Sequence, residues 1–365
     1  MILRGSLLFA RLPHWASRAP LLLAAFVLSG ALPAHCAAGS SPWGRLITSA
    51  AIADNPSTHK IYAVNEGTGS VTVLDAITGA RHSVPVGSEP IALAINRRTN
   101  RVYIANDGGS TVSVIDGKND TVVATIPCDP LPYTLAVNEA SNKVYVTHTY
   151  SGTVTVIDGA TNTAQALKVG DADGVAIDPR TNTIFLMTYE DPNIRVLNGA
   201  TGAVTKVAVG GHIWGMVFDE PSGTLYLGHT GTAEVVTLNE KTYAVRTIRV
   251  GSIPCALAID SVTRRLYVVN YGDETVSVID LRARKAVATL PVGKHPQAVT
   301  IDPKSHRVYV ANVLSDDLTV IDGAKNVVIG ASSAGVHPYG IAVDPASGRV
   351  SAANYGAPWV TLVNH

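Results

Sequence analysis

The sequence predicts an all-β fold, a propeller of eight blades each made of a four-stranded antiparallel sheet, and three observations carry that prediction. A ladder of one aromatic position runs through Tyr62, Tyr103, Tyr145, Phe185, Tyr226, Tyr267 and Tyr309 and ends at Ser351, with steps of 40 to 42 residues. Each period holds four short apolar runs that alternate with period two, the pattern of half-buried strands. Between the runs stand Asp-Pro, Asp-Gly and Gly-rich pairs, which form turns, and no stretch beyond residue 40 has helical periodicity.

In the second unit the four runs are 91–96, 102–106, 112–116 and 122–127, designated strands A, B, C and D. The C run repeats almost verbatim at 71–75, 112–116, 154–158, 276–280 and 318–322. Asp178-Pro179, Asp302-Pro303 and Asp344-Pro345 separate A from B, and Asp116-Gly117, Asp158-Gly159 and Asp322-Gly323 follow C. A lone four-stranded meander leaves both faces in water, so the units must stack face to face, and a radial stack leaves only short edges. Eight A, eight B and eight C runs are present but seven D runs. Residues 39–48 are placed to supply the missing strand, yet Ser41, Pro42 and Gly44 are poor strand formers. The alternative is seven full blades and an incomplete terminal unit.

Residues 1–38 read as a cleaved export signal: Arg4, Arg11 and Arg18 precede an apolar run at 21–28 and small residues at 34–38. Residues 39–365 then form one propeller domain without a membrane span, expected to be a periplasmic or secreted monomer. Residues 1–38 carry no twin-arginine signal, which points to export unfolded and against a cofactor loaded in the cytoplasm. Cys128 and Cys255 occupy different repeat positions on distant blades, so a disulfide between them is not expected. With 28 basic and 28 acidic residues the formal charge is zero, so no global field draws the chain to nucleic acid or anionic lipid.

The B runs Tyr62-Ala63-Val64-Asn65, Tyr103-Ile104-Ala105-Asn106, Tyr267-Val268-Val269-Asn270 and Tyr309-Val310-Ala311-Asn312 resemble the signature of the YVTN-repeat (YncE-like) β-propeller family. The Gly-x-x-Pro segments at 87–90, 251–254 and 293–296 support the resemblance. It covers essentially all of 39–365 and implies an extracytoplasmic propeller; for part of the family it also implies single-stranded DNA binding. Departures fall at His148, Thr188 and His229, which replace the motif Asn, and at Ser351, which replaces the Tyr.

Chain direction sorts the loops into two faces: D-to-A and B-to-C connections share one, A-to-B and C-to-D turns the other. On the first face, the channel mouth, His212, His295 and His337 stand beside the start of strand A, and His148 and His229 end strand B. Imidazoles with nearby carboxylates bind transition metals or exchange protons, so His212, His229, His295 and His337 are the candidate metal ligands, although no compact ligand motif brings them together. Trp214 and Tyr339 join the same mouth, with Tyr133, Tyr150, Tyr189, Tyr271 and Tyr355 near it. The other face carries Lys60, Arg97, Arg98, Arg101, Lys143, Arg180, Arg264, Arg265, Lys304, Arg307 and Arg349 in A-to-B turns, joined by Lys118, Arg282, Arg284 and Lys285. No Gly-x-Ser-x-Gly element or phosphate-cradling loop is present, and no catalytic residue is assigned. The expected function is a binding scaffold for a protein, glycan or small ligand at the mouth, without an obligatory cofactor. A propeller lactonase or metal-assisted hydrolase and a single-stranded DNA binder are the alternatives.

Overall fold

The computed structural model describes residues 51–355 and 360–363. They form eight antiparallel sheets arranged as a ring, seven of four strands and a last one of three, with each sheet a simple meander. Blade 2 is representative: strand A is Pro90–Asn96, B is Arg101–Asn106, C is Thr111–Asp116 and D is Thr121–Pro127. In blade 8 the strands are Pro338–Val343, Val350–Asn354 and Val360–Val363. The candidate closing strand at 39–48 and the leader at 1–38 lie outside the described residues. Cys128 and Cys255 are free thiols, and burial pushes both up to about 12, so they stay protonated and weakly nucleophilic at neutral pH.

The A strands pack against one another around the axis, including those of blades 8 and 1. Strand B lies behind and is almost wholly buried, whereas strand D faces solvent, as in the run of exposed residues at 327–331. This gradient explains the sequence pattern: the YVTN run is the core strand, and its aromatic ring is buried in every blade from 1 to 7. Each buried ring contributes about 2–3 kcal/mol. The hydroxyl then reaches the next blade: Tyr62 donates to Asp120 Oδ1 at 3.0 Å, Tyr145 to Asn182 Oδ1 at 3.1 Å and Tyr267 to the Gly323 carbonyl at 3.1 Å.

A second tie between blades appears on the A-to-B face. The repeated Asn and Asp residues ending strand A act as turn formers, accepting N–H bonds from the turn that follows, and they also link neighbouring blades. Asn55 donates to Asn100 Oδ1 at 2.6 Å, Asn96 to Asn142 at 2.8 Å and Asn138 to Asn182 at 2.7 Å. Where the next blade presents a cation, the residue is Asp: Arg264 donates twice to Asp219 at 2.6 Å, and His306 Nδ1 lies 2.8 Å from Asp260. His59 Nδ1, 3.3 Å from Asp344 Oδ2, links blade 1 to blade 8 and closes the circle. The partner residues sit in left-handed backbone at φ of 54° to 58°, and glycine (Gly223, Gly348) takes that position in blades 5 and 8. There Asp178 turns to Arg180 and Asp302 to Ser305 within their own turns.

Burial alone would raise the Asp219 carboxyl, but hydrogen bonds from Arg264 and Ser222 outweigh it and hold it below its usual value. The pair therefore stabilises the fold above the ordinary carboxylate range, and the gain is lost as pH falls through the lowered folded value. Arg264→Ala, which strands a buried carboxylate, is expected to cost about 3–5 kcal/mol in urea unfolding at pH 7. Asp219→Asn combined with Arg264→Asn, which recreates the clasp of blades 1 to 3, should recover most of that loss; a double variant as unstable as the single one contradicts this reading of the seam.

Candidate functional site

The mouth on the D-to-A face is built from one repeated backbone device. The residue before strand A has φ of 51° to 61° at Glu89, Leu131, His212, Ile253, His295 and His337. Non-glycine residues in this region cost on the order of 1–3 kcal/mol. The carbonyl of each accepts an N–H from the residue after the end of strand B: Asp107 to Glu89, Thr149 to Leu131, Thr230 to His212, Tyr271 to Ile253, Val313 to His295 and Tyr355 to His337, at 2.9 to 3.3 Å. Six repetitions of this bond hold the mouth loops and aim the three histidines away from the sheet.

The motif Asn supports the same connection. Asn106 Nδ2 donates to Thr111 and Ser113, Asn270 to Thr275 and Ser277, and Asn312 to Asp317 and Thr319. The Gly of Gly-x-x-Pro lies directly over it: a Cβ at Gly87 or Gly251 would sit within 2.6 Å of the Asn carboxamide carbon. Glycine and asparagine are thus required by one another, which accounts for their joint recurrence in the sequence.

The sequence-designated residues divide into three groups. His148 is fully buried, with Nε2 2.8 Å from Thr155 Oγ1 and Nδ1 3.2 Å from the Pro130 carbonyl; it replaces the motif Asn structurally and does not face the mouth. Burial lowers its pKa, against the pull of Pro130 and Asp129. Trp214 and Tyr339 are buried too, at 7% and 9% exposure, so they form walls of the mouth and are not open stacking surfaces. His212, His229, His295 and His337 retain partial exposure at the mouth.

These four do not converge. His212 and His229 are close neighbours in blade 5, both packed about Gly231, and the Tyr189 ring stands edge-on to His212 at 5.3 Å and to Trp214 at 6.1 Å. Burial, with the neighbouring His212 adding to it, lowers the pKa of His229. His295 Nδ1 is 2.6 Å from Tyr271 Oη with the rings edge to face, and burial lowers its pKa against the opposing effect of Glu274. His337 Nδ1 meets the Val313 carbonyl at 2.8 Å and Asp316 at 3.2 Å. Among the described residues no group of three or more His, Cys, Asp or Glu side chains is arranged to hold a metal ion.

A third cluster joins Tyr339 and Tyr355, whose ring centroids are 4.3 Å apart, with Tyr133 and Glu66 close enough to raise the Tyr355 hydroxyl further after burial has done so. Two features escaped sequence reading. Arg195 replaces the small polar residue of strand C in blade 4, donates to the Asp171 carbonyl at 2.6 Å and pairs with Asp191 at 2.5 Å. The signal was the break of the C pattern at Ile194-Arg195-Val196. The basic face, in turn, is partly neutralised: Lys60, Arg97, Arg101, Lys143, Arg180, Arg264 and Arg265 pair with Asp120, Asp54, Asp116, Asp158, Asp178, Asp219 and Asp280.

With the architecture and both faces described, the carboxy-terminal third of the chain can be compared with known families. Residues 241–357 match the YNCE-like beta-propeller family. This agrees with the YVTN resemblance and with the eight-bladed ring. No curated protein matches the chain significantly. Among solved structures, the Kuenenia stuttgartiensis hydrazine synthase is similar over 76% of this chain and 96% of that one, with 21% identity and a TM-score of 0.63. Dihydro-heme d1 dehydrogenase NirN in complex with DHE is similar over 85% and 71%, at 16% identity and a TM-score of 0.72. Saccharomyces cerevisiae Sqt1 is similar over 87% and 96%, at 10% identity and a TM-score of 0.73. At such identities the likeness is one of fold.

The buried His148 generates a test within the propeller. Its lowered pKa means that it stabilises the protein fully above the unfolded histidine value of about 6.5, with the contribution eroded as pH falls below that toward the folded value. His148→Asn, which restores the motif residue, should therefore flatten the dependence of melting temperature on pH between 7.5 and 5.5. An unchanged slope would show that His148 is not the group responsible.

Proposed function

We propose that this protein is an exported, non-enzymatic binding scaffold whose partner docks on the mouth of the D-to-A face. The observation that carries the reading is the distribution of aromatic and imidazole rings in three separate clusters around one rim, Tyr189/His212, Tyr271/His295 and Tyr133/Tyr355, with the buried Trp214 and Tyr339 as walls behind the first and the third. Rings held on a rigid backbone provide contact area at small entropic cost, which suits recognition. The His295 imidazole is held by a tyrosine hydroxyl and that of His337 by a carbonyl and a carboxylate, positioned hydrogen-bonding groups that support recognition over hydrolysis.

The charge around the rim selects the class of partner. Glu66, Asp107, Glu190, Asp191, Asp273, Glu274, Asp316 and Asp317 lie in the loops of this face, so a neutral glycan or a basic protein segment is favoured and a polyanion is repelled. Single-stranded DNA binding calls for aromatic rings and cations in one groove; here the ring clusters stand on the face opposite the basic turns, and several of the A-to-B face cations are paired.

Purified protein applied to arrays of immobilised oligosaccharides and of basic 15-residue peptides tests the reading. The expected result is retention by members of one class, weakened at least tenfold by Tyr189→Ala with Tyr271→Ala and unchanged by Arg98→Ala with Arg282→Ala on the other face. Retention that follows the arginine variants, or a salt-sensitive shift of single-stranded oligonucleotides, would replace the proposed face with the opposite one.

A further inference from the structure

The other end of the channel has a chemistry of its own. The position just before the Asn or Asp at the A-to-B turn is apolar in seven blades, occupied by Ile95, Val137, Ile177, Phe218, Ile259, Ile301 and Val343, and is Asp54 in blade 1. One carboxylate therefore stands in an apolar ring at the A-to-B mouth. A cavity of about 280 Å³ opens there, lined by residues of blades 6, 7, 8, 1 and 2, among them Asp54, Arg97, Ile259, Ile301, Val343 and Pro345. Side chains from five successive blades place it at the axis.

We propose that this cavity binds a small amphipathic cation, an amine with a compact apolar body, through an ion pair with Asp54. The side chain of Asp54 is 16% exposed. Its resident partner, Arg97 Nη2, lies 3.5 Å away on a side chain that is 53% exposed. A long contact made by a half-solvated guanidinium is weak and yields readily to a competing cation. An ammonium seated within the ring makes a charge-assisted hydrogen bond to the carboxylate, while its apolar body covers Ile259, Ile301 and Val343. A neutral ligand of the same shape leaves the carboxylate without that partner, and an anion is opposed by Asp54, Asp260 and Asp344. Burial, the largest influence on Asp54, raises its carboxyl above the ordinary value, with Arg97 opposing and Asp344 adding; a buried cation relieves that cost of ionisation. The volume, near the lower end for ligand pockets, limits the body to roughly one ring or a short alkyl chain.

Titration calorimetry with benzylamine, benzyl alcohol and benzoate on the purified protein tests the site. Benzylamine is expected to bind saturably at one site per chain, and the alcohol and the acid at least tenfold more weakly. Asp54→Asn should lower benzylamine affinity at least tenfold, and Asp54→Ile, which completes the apolar ring of the other blades and so protects folding, should do the same. Arg97→Ala should leave affinity unchanged or raise it, and Tyr271→Ala on the opposite mouth should have no effect. The proposal is overturned if wild-type protein shows no saturable benzylamine binding, if either Asp54 variant in its folded form, verified by its melting curve, binds as well as wild type, or if benzoate binds best and loses its affinity in Arg97→Ala.

Discussion

Neighbouring sheets must cover one another, because a single blade of this length cannot shield both of its faces from water, and every other feature depends on how that contact is made. The buried ring of strand B supplies the apolar part of the contact, and the clasp between the end of strand A and the next turn supplies register. The clasp is adjustable: asparagine meets asparagine at the first three seams, aspartate meets arginine or histidine at three others. A change of one partner is matched by the other, so eight unequal repeats keep one common geometry.

The two channel mouths follow from that geometry and diverge chemically. On the D-to-A face, carbonyl bonds hold six non-glycine residues at positive φ, and the His295 and His337 rings are held in turn by Tyr271, Val313 and Asp316. On the A-to-B face, carboxylates pair with basic residues, between blades at Lys60–Asp120 and Arg264–Asp219 and within one turn at Arg180–Asp178. Pairing of this kind weakens the face as a polyelectrolyte surface, which supports the proposed docking of a large partner on the opposite rim. The exception is the axial ring around Asp54, where an apolar surface and one carboxylate remain available to a small molecule.

Much of this was legible before any coordinates, because it rests on period. The spacing of Tyr62, Tyr103 and Tyr145 indicated the repeat, and the phase of the turns fixed which loops share a face. What the pattern could not convey was depth. His148 and His229 occupy the same repeat position, yet Asp129 and Gly210 precede them at the site of the motif glycine. The first imidazole is sealed beneath its loop, and the second keeps partial exposure next to His212. Trp214 and Tyr339 likewise belong to the face assigned to them but are turned into its walls. The linking role of Asn55 or Asp219 was hidden for a different reason, since turn-forming and clasping residues are of the same type and only the neighbouring blade distinguishes them.

Closure of the ring is the claim on which both mouths depend, and native-state amide hydrogen exchange resolved by segment measures it most directly. The account predicts that strands A and B of blades 1 and 8 exchange as slowly as those of blades 2 to 7, because Asp344 and His59 join the first sheet to the last. Exchange at the seam between blades 8 and 1 that is faster by orders of magnitude, with the other seams protected, would mean an open array and would contradict it.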